Sequence, residues 1–98
     1  MIGNSSNYYE EGIAWWERGD LDKAIAIEPE DASMINSRGA VLLDLKQPAK
    51  ALEDFNEAIR LNSLLGIAFA NRADAKRALG DNAGADADAR QARQLGVR

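Results

Sequence analysis

One fixed step recurs through this chain and limits what it can fold into. Arg38 recurs as Arg72, Gly39 as Ala73, Ala51 as Ala85 and Ala58 as Ala92, each time at the same spacing. A period of about 20 to 50 residues marks a stack of like supersecondary units, none of which buries its apolar face alone. An earlier copy shows in Gly12, Ala14, Gly19-Asp20 and Lys23-Ala24-Ile25. Its Gly19-Asp20 matches Gly80-Asp81 of the last copy.

Each copy reads as two helices. Tyr8, Gly12 and Trp15 share one face at helical spacing. Gly19 is expected to stop this first helix, and Asp20 to cap a second one. Pro29 ends the second helix and Asp31 caps the third, where Ile35, Gly39 and Leu42 form a stripe over residues 32–45. Pro48 suits the first turn of the fourth, with Ala51, Phe55 and Ala58 on its apolar side up to Leu61. Ser63 is the expected cap of a fifth helix over residues 64–79. Gly80 closes it, Asp81 caps the sixth and Gly96 closes that. β-Branched residues are few and nothing alternates with period two, so strands are not expected. The pattern predicts an all-α chain of about six helices.

Composition narrows the function. With 98 residues, 46% of them hydrophobic and 29% charged, the chain suits one soluble domain. The absence of cysteine excludes disulfides and thiolate sites, and the absence of histidine removes the commonest general base and zinc ligand. No phosphate loop, EF-hand or nucleophile elbow occurs. The acid pairs Glu10-Glu11 and Asp20/Asp22 suit helix first turns, so no enzyme, no cofactor and no metal are expected. A net charge of −4 argues against nucleic acid as partner. Charges interrupt every apolar run and the N-terminus has no apolar core, so neither a membrane segment nor a signal peptide is expected. The expected location is soluble and cytoplasmic.

These repeats resemble the tetratricopeptide repeat (TPR) family, a 34-residue helix-turn-helix with marked small and aromatic positions. The step from Arg38 to Arg72 has that same length. The middle copy carries Gly39, Ala51, Phe55 and Ala58 in register, with Ser63 where proline is usual. The last carries Ala73, Gly80-Asp81, Ala85 and Ala92, and departs at Lys76 and Ala89. The first has Tyr8, Gly12, Trp15, Gly19, Ala24 and Pro29. The resemblance implies a right-handed superhelical stack of hairpins. Residues 1–4 read as a leader, 5–31 as a first repeat, 32–65 as a second and 66–98 as a third. The step from Gly12 to Gly39 is seven short of the step from Gly39 to Ala73. The first repeat is therefore shortened, and its second helix is where the loss is expected.

Two functions follow from that reading. By the resemblance, the chain is a protein-interaction module that takes a peptide or helix in a concave groove. First-helix residues would line it: Tyr9, Ile13 and Trp16, then Asn36, Ala40 and Leu43, then Ile67, Asn71, Asp74 and Arg77. The alternative is a structural module, a homodimer or larger oligomer joined where the shortened repeat leaves Tyr8, Trp15, Trp16 and Ile35 uncovered. Residues 1–34 carry net −6 and residues 66–98 net +2, which suits either charge-driven association of copies or simply solvated helix faces. Chaperone-binding TPR domains clamp an acidic C-terminal tail with lysine, arginine and asparagine. Here the corresponding places hold Tyr9, Ile13, Ser37, Ile67 and Asn71, so acidic chaperone tails are not expected as partners. Arg38 and Arg72 are expected to pair with acids of a neighbouring helix.

Overall fold

The computed structural model describes residues 11–97, and side chains from Gly19 onward. Five helices follow one another: α1 (Glu11–Ile27), α2 (Ala32–Asp44), α3 (Pro48–Leu61), α4 (Gly66–Ala78) and α5 (Asn82–Gln94). There is no strand among the described residues. α2 pairs with α3 and α4 with α5 as antiparallel hairpins; α1 packs on α2, and α4 packs on α3. The result is a stack of helix-turn-helix units.

Local chemistry sets most boundaries. Asp31 caps α2 by accepting a hydrogen bond from the Met34 amide at 3.1 Å, and Asp81 caps α5 through the Gly84 amide at 2.9 Å. Pro48 occupies the first turn of α3, where no amide partner is lost. The three helices α2, α4 and α5 end alike. A residue with positive φ follows each: Lys46 (64°), Gly80 (90°) and Gly96 (101°). The next amide then reaches back to the last turn, Gln47 to Leu42, Asp81 to Lys76 and Val97 to Ala92, at 2.8–2.9 Å. Lys46 therefore holds the position that glycine takes one repeat later.

Three sequence expectations are corrected here. Gly19 does not stop a helix: α1 runs through it, so five helices are described instead of six. Glycine ends a helix by entering the left-handed region, and Gly19 is not among the positive-φ residues. An interior glycine costs about 1 kcal/mol against alanine, which a packed helix tolerates. The second correction follows from the first, because the separate short helix expected over residues 21–28 is the end of a 17-residue one. Finally, Ser63 does not cap α4. Leu65 stands at that N-cap without a side-chain bond, and the Asn62 side-chain carbonyl instead accepts from the Leu64 amide at 3.0 Å.

Two small clusters hold the stack. Ile25, Ile35, Ala58 and Ala68 join α1, α2, α3 and α4 at one end. Leu42, Ala51, Phe55 and Ala75 join α2, α3 and α4 at the other. Phe55 is fully buried, and its ring lies where any side chain at Gly39 would sit: a Cβ there would be 2.5 Å from the Phe55 Cε1. The small residue on α2 admits the large one on α3.

An arginine ties each hairpin to the helix before it. Arg38 of α2 donates twice to Asp54 of α3, at 2.8 and 2.9 Å, and once to Asp22 of α1 at 3.1 Å. Arg72 of α4 repeats this, donating twice to Asp88 of α5 at 2.8 Å and once to Asn56 of α3 at 3.0 Å. Donor and acceptors have each moved by one full repeat. The pairing expected of Arg38 and Arg72 is thus present. It also places Asp22, and with it residues 21–27 of α1, in register with residues 55–61 of α3.

Burial alone would raise the Asp88 carboxyl. Hydrogen bonds from Arg72 and Lys76, with their charge, outweigh it and hold the group below its usual value of 3.8. Lys76 Nζ lies 3.0 Å from the carboxylate. The Arg38 guanidinium is held above its usual range, chiefly by its hydrogen bonds to Asp54 and against the desolvation that opposes them.

Both the ion pair and the left-handed lysine can be tested by substitution. Because the folded pKa of Asp88 is depressed, its stabilisation is full above its unfolded value and is lost as pH falls through the folded one. Asp88→Asn should destabilise at neutral pH, and its urea midpoint should fall less between about pH 4 and pH 2 than that of the parent chain. Parallel slopes would contradict the ion pairing. Lys46→Gly should stabilise the chain by about 0.5–1 kcal/mol, since it removes a left-handed lysine at a position already shaped for glycine. Urea unfolding followed by far-ultraviolet circular dichroism reads this directly.

Candidate peptide-binding groove

The stack sets α2 and α4 side by side, and the arginine ties fix their spacing. The Asn71 side-chain amide on α4 donates to the Asn36 side-chain oxygen on α2 at 3.1 Å. Asn36 is buried and Asn71 half-buried, so the pair sits in the floor between the two helices. A satisfied Asn36 oxygen leaves the remaining donor and acceptor capacity of Asn71 for other polar groups. Ala40 is half-buried nearby along α2, and Ile67 is 45% exposed at the start of α4.

Further along the same side lies a cleft of about 540 Å³, lined by Leu43, Asp44, Lys46, Pro48, Asp74 and Ala78. Its floor is apolar, from Leu43, Pro48 and Ala78, and its rim carries one cation and two carboxylates. Arg77 is exposed on the last turn of α4, 3.3 Å from Asp86 and 3.9 Å from Asp74. A flat apolar strip with amides and charges at its edge suits an extended peptide or a helix better than a small molecule. Among the described residues no group of acids, histidines or cysteines is placed to hold a metal ion. Among them, too, no helix is long and apolar enough to cross a membrane.

The structure brings together Asn36 with Asn71, Leu43 with Asp74, and Asp74 with Arg77. Tyr8 and Tyr9 lie outside the described residues. Ile13, Trp15 and Trp16 fall on α1, but their side chains are also outside the described ones. Ile35, expected to lie uncovered beside the shortened repeat, is instead only 3% exposed. It is packed with Ile25, Ala58 and Ala68, because α1 continues far enough to cover it. Asp44, Lys46, Pro48 and Ala78 were not singled out by the sequence. The signal was available for one pair: Asp44 and Ala78 are one repeat apart and follow directly on Leu43 and Arg77.

Comparison with solved structures decides the architecture. The first TPR of Spaghetti (RPAP3), bound to the HSP90 peptide SRMEEVD, superposes with a TM-score of 0.85. The match covers 93% of this chain and 72% of that one, at 24% sequence identity. The fold is that of tetratricopeptide repeats. No protein-family model matches this TPR-like chain. Hsc70-interacting proteins 1 and 2 of Drosophila melanogaster are each 37% identical to it over 87 residues, which is 89% of this chain and 22% of each relative. The TPR repeat-containing thioredoxin TDX of Arabidopsis thaliana is 35% identical over 75 residues, 76% of this chain and 20% of that protein. The chain thus spans about a fifth of the length of these curated relatives.

The expectation concerning acidic chaperone tails is corrected by the structural neighbour. A TPR module that matches this fold over 93% of the chain was solved with such a tail bound. The expectation looked for a clamp of lysine, arginine and asparagine at five first-helix positions. The side chains of two of them, Tyr9 and Ile13, lie outside those described. Positive charge reaches the cleft from elsewhere, through Lys46 on the α2–α3 turn. The lack of cations at the five positions was therefore no ground for exclusion.

Asn36 and Asn71 supply a direct prediction. Asn36→Ala removes the acceptor of a part-buried bond and leaves the Asn71 amide without it, at a cost of about 1–2 kcal/mol. Asn71→Ala should cost less, because Asn71 is the more exposed partner. Equal losses in urea unfolding would contradict this account of the pair.

Proposed function

We propose that this chain is a protein-interaction module whose groove between α2 and α4 binds a peptide or helix, and that acidic C-terminal tails of chaperones are among its ligands. The Asn71–Asn36 pair carries this reading. It fixes an amide in the groove floor at a place where a peptide backbone or terminal carboxylate would lie, beside the apolar strip of Leu43, Pro48 and Ala78. Lys46 supplies a positive charge at the rim of the cleft for an acidic tail. The match to a TPR module holding SRMEEVD, and to relatives named for interaction with Hsc70, supports the choice of that ligand class.

Tyr9, Ile13 and Trp16 complete the groove residues proposed from sequence. The three-repeat division, with the first copy shortened by seven, is likewise part of the proposal. Asp22 and Asn56 stand one full repeat apart, so a shortfall would lie ahead of Asp22.

Amide chemical-shift mapping with the heptapeptide SRMEEVD tests the proposal. Saturable shifts should cluster on α2, α4 and the α2–α3 turn, with affinity in the micromolar range typical of short transient contacts. Amidation of the peptide C-terminus and Asn71→Ala should each weaken binding about tenfold. An absence of shifts at millimolar peptide, or shifts confined to other faces, would refute it.

A further inference from the structure

The cleft beyond Asn36 and Asn71 carries more negative charge than positive. Asp44, Asp74 and Lys46 line it around the apolar floor. A wholly acidic tail satisfies Lys46 and leaves both carboxylates facing charges of their own sign, which costs affinity.

Asp44 is the odd residue among them. It closes α2, where the unpaired carbonyls of the last turn disfavour a carboxylate, and no basic residue stands in that turn. The three helices that follow end the other way, with Arg60 on α3, Lys76 and Arg77 on α4 and Arg93 on α5. One repeat later the place of Asp44 is taken by Ala78, so the fold does not ask for an acid there. Asp44 and Lys46 are both exposed, and neither takes part in an ion pair among the described residues. The left-handed backbone at Lys46 carries the chain away from the helix between them. Asp74 has Arg77 at 3.9 Å, but Arg77 lies nearer to Asp86, at 3.3 Å. The cleft thus holds carboxylates that the chain's own cations do not neutralise.

Resting on the groove reading above, we infer that Asp44 and Asp74 form a subsite for a basic side chain, and that the preferred ligand is a peptide with an arginine or lysine upstream of its acidic C-terminal end. Leu43 and Ala78 each stand seven residues beyond Asn36 and Asn71, roughly 10 Å along their helices. An extended chain whose terminal carboxylate meets the Asn71 amide covers that distance, and the last step to Asp44 and Lys46, in about three to five residues. Its base then meets the two carboxylates, an acid meets Lys46, and an apolar residue covers the floor. A tail of mixed sign is selected over a uniformly acidic one because only the mixed tail leaves no like charges opposed.

The heptapeptide SRMEEVD carries one arginine upstream of its acids. Fluorescence anisotropy of the labelled peptide against the 98-residue chain is compared with that of two versions, in which the arginine is alanine or glutamate. At about 50 mM salt the arginine peptide should bind about threefold tighter than the alanine one and about tenfold tighter than the glutamate one, and both differences should shrink at about 0.5 M salt. In the double variant Asp44→Asn with Asp74→Asn the three peptides should bind within about twofold of one another. Asp44→Asn relieves the end of α2, so this variant folds and a lost preference reads the subsite. Glu53→Gln removes an equal charge from an exposed place on α3 outside the cleft, and should leave the preference unchanged. If no peptide binds up to about 1 mM, the groove reading falls and the subsite with it. If all three peptides bind equally to the parent chain, the groove stands and the subsite is refuted. It is also refuted if Glu53→Gln levels the three peptides as the double variant does, since net charge alone then accounts for the preference.

Discussion

The stack depends on an arginine that reaches across three helices. Arg38 and Arg72 each hold the carboxylate of their own hairpin with two hydrogen bonds and an acceptor on the preceding helix with a third. The planar guanidinium fits this task because its donors lie in one rigid fork, which a lysine cannot match. Apolar clusters in a chain this small are built largely of alanine and isoleucine, and alanine carries little shape. Alanine faces alone permit helices to slide against one another. The arginine forks fix both the angle within a hairpin and the offset to its neighbour. They are the reason the period in the sequence becomes a period in space.

Bulk is matched within that frame by exchanging large and small residues. Gly39 and Phe55 fill one hairpin, and Ala73 and Ala89 nearly fill the next. The exchange has opposite consequences for two surfaces. Inside the stack, Phe55 is covered by α4 and contributes the largest fully buried side chain. At α5 the missing ring leaves an indentation. The groove between α2 and α4 follows from the same frame, since the distance from Asn71 to Asn36 is set by how Arg72 seats α4 on α3.

Much of this was legible in the sequence where a residue type has one strong local preference. Pro48 at a first turn, Asp31 and Asp81 as caps, and Gly80 and Gly96 after helix ends each act through bonds made within a few residues. Gly19-Asp20 misled because it is written like Gly80-Asp81, while a glycine only permits a helix to end. Ser63 failed as a cap because α4 begins later, at Gly66, with Leu65 in the N-cap place. In the groove, Asn36, Leu43, Asn71, Asp74 and Arg77 could be placed on one side by counting in repeats. Lys46 and Pro48 could not, because they reach the cleft from a turn whose path depends on a left-handed lysine. That same turn supplies the charge whose apparent absence made acidic tails look excluded.

Native-state amide hydrogen exchange in Arg38→Met tests the central claim most directly. The substitution keeps the aliphatic stem of the side chain and removes the fork. If the arginine joins α1, α2 and α3 as described, protection in the second half of α1 and in α3 should fall together, while α4 and α5 keep protection relative to each other. If α1 retains its full protection and the loss is confined to α2, the arginine is a surface ion pair and the register of the stack is set by something else.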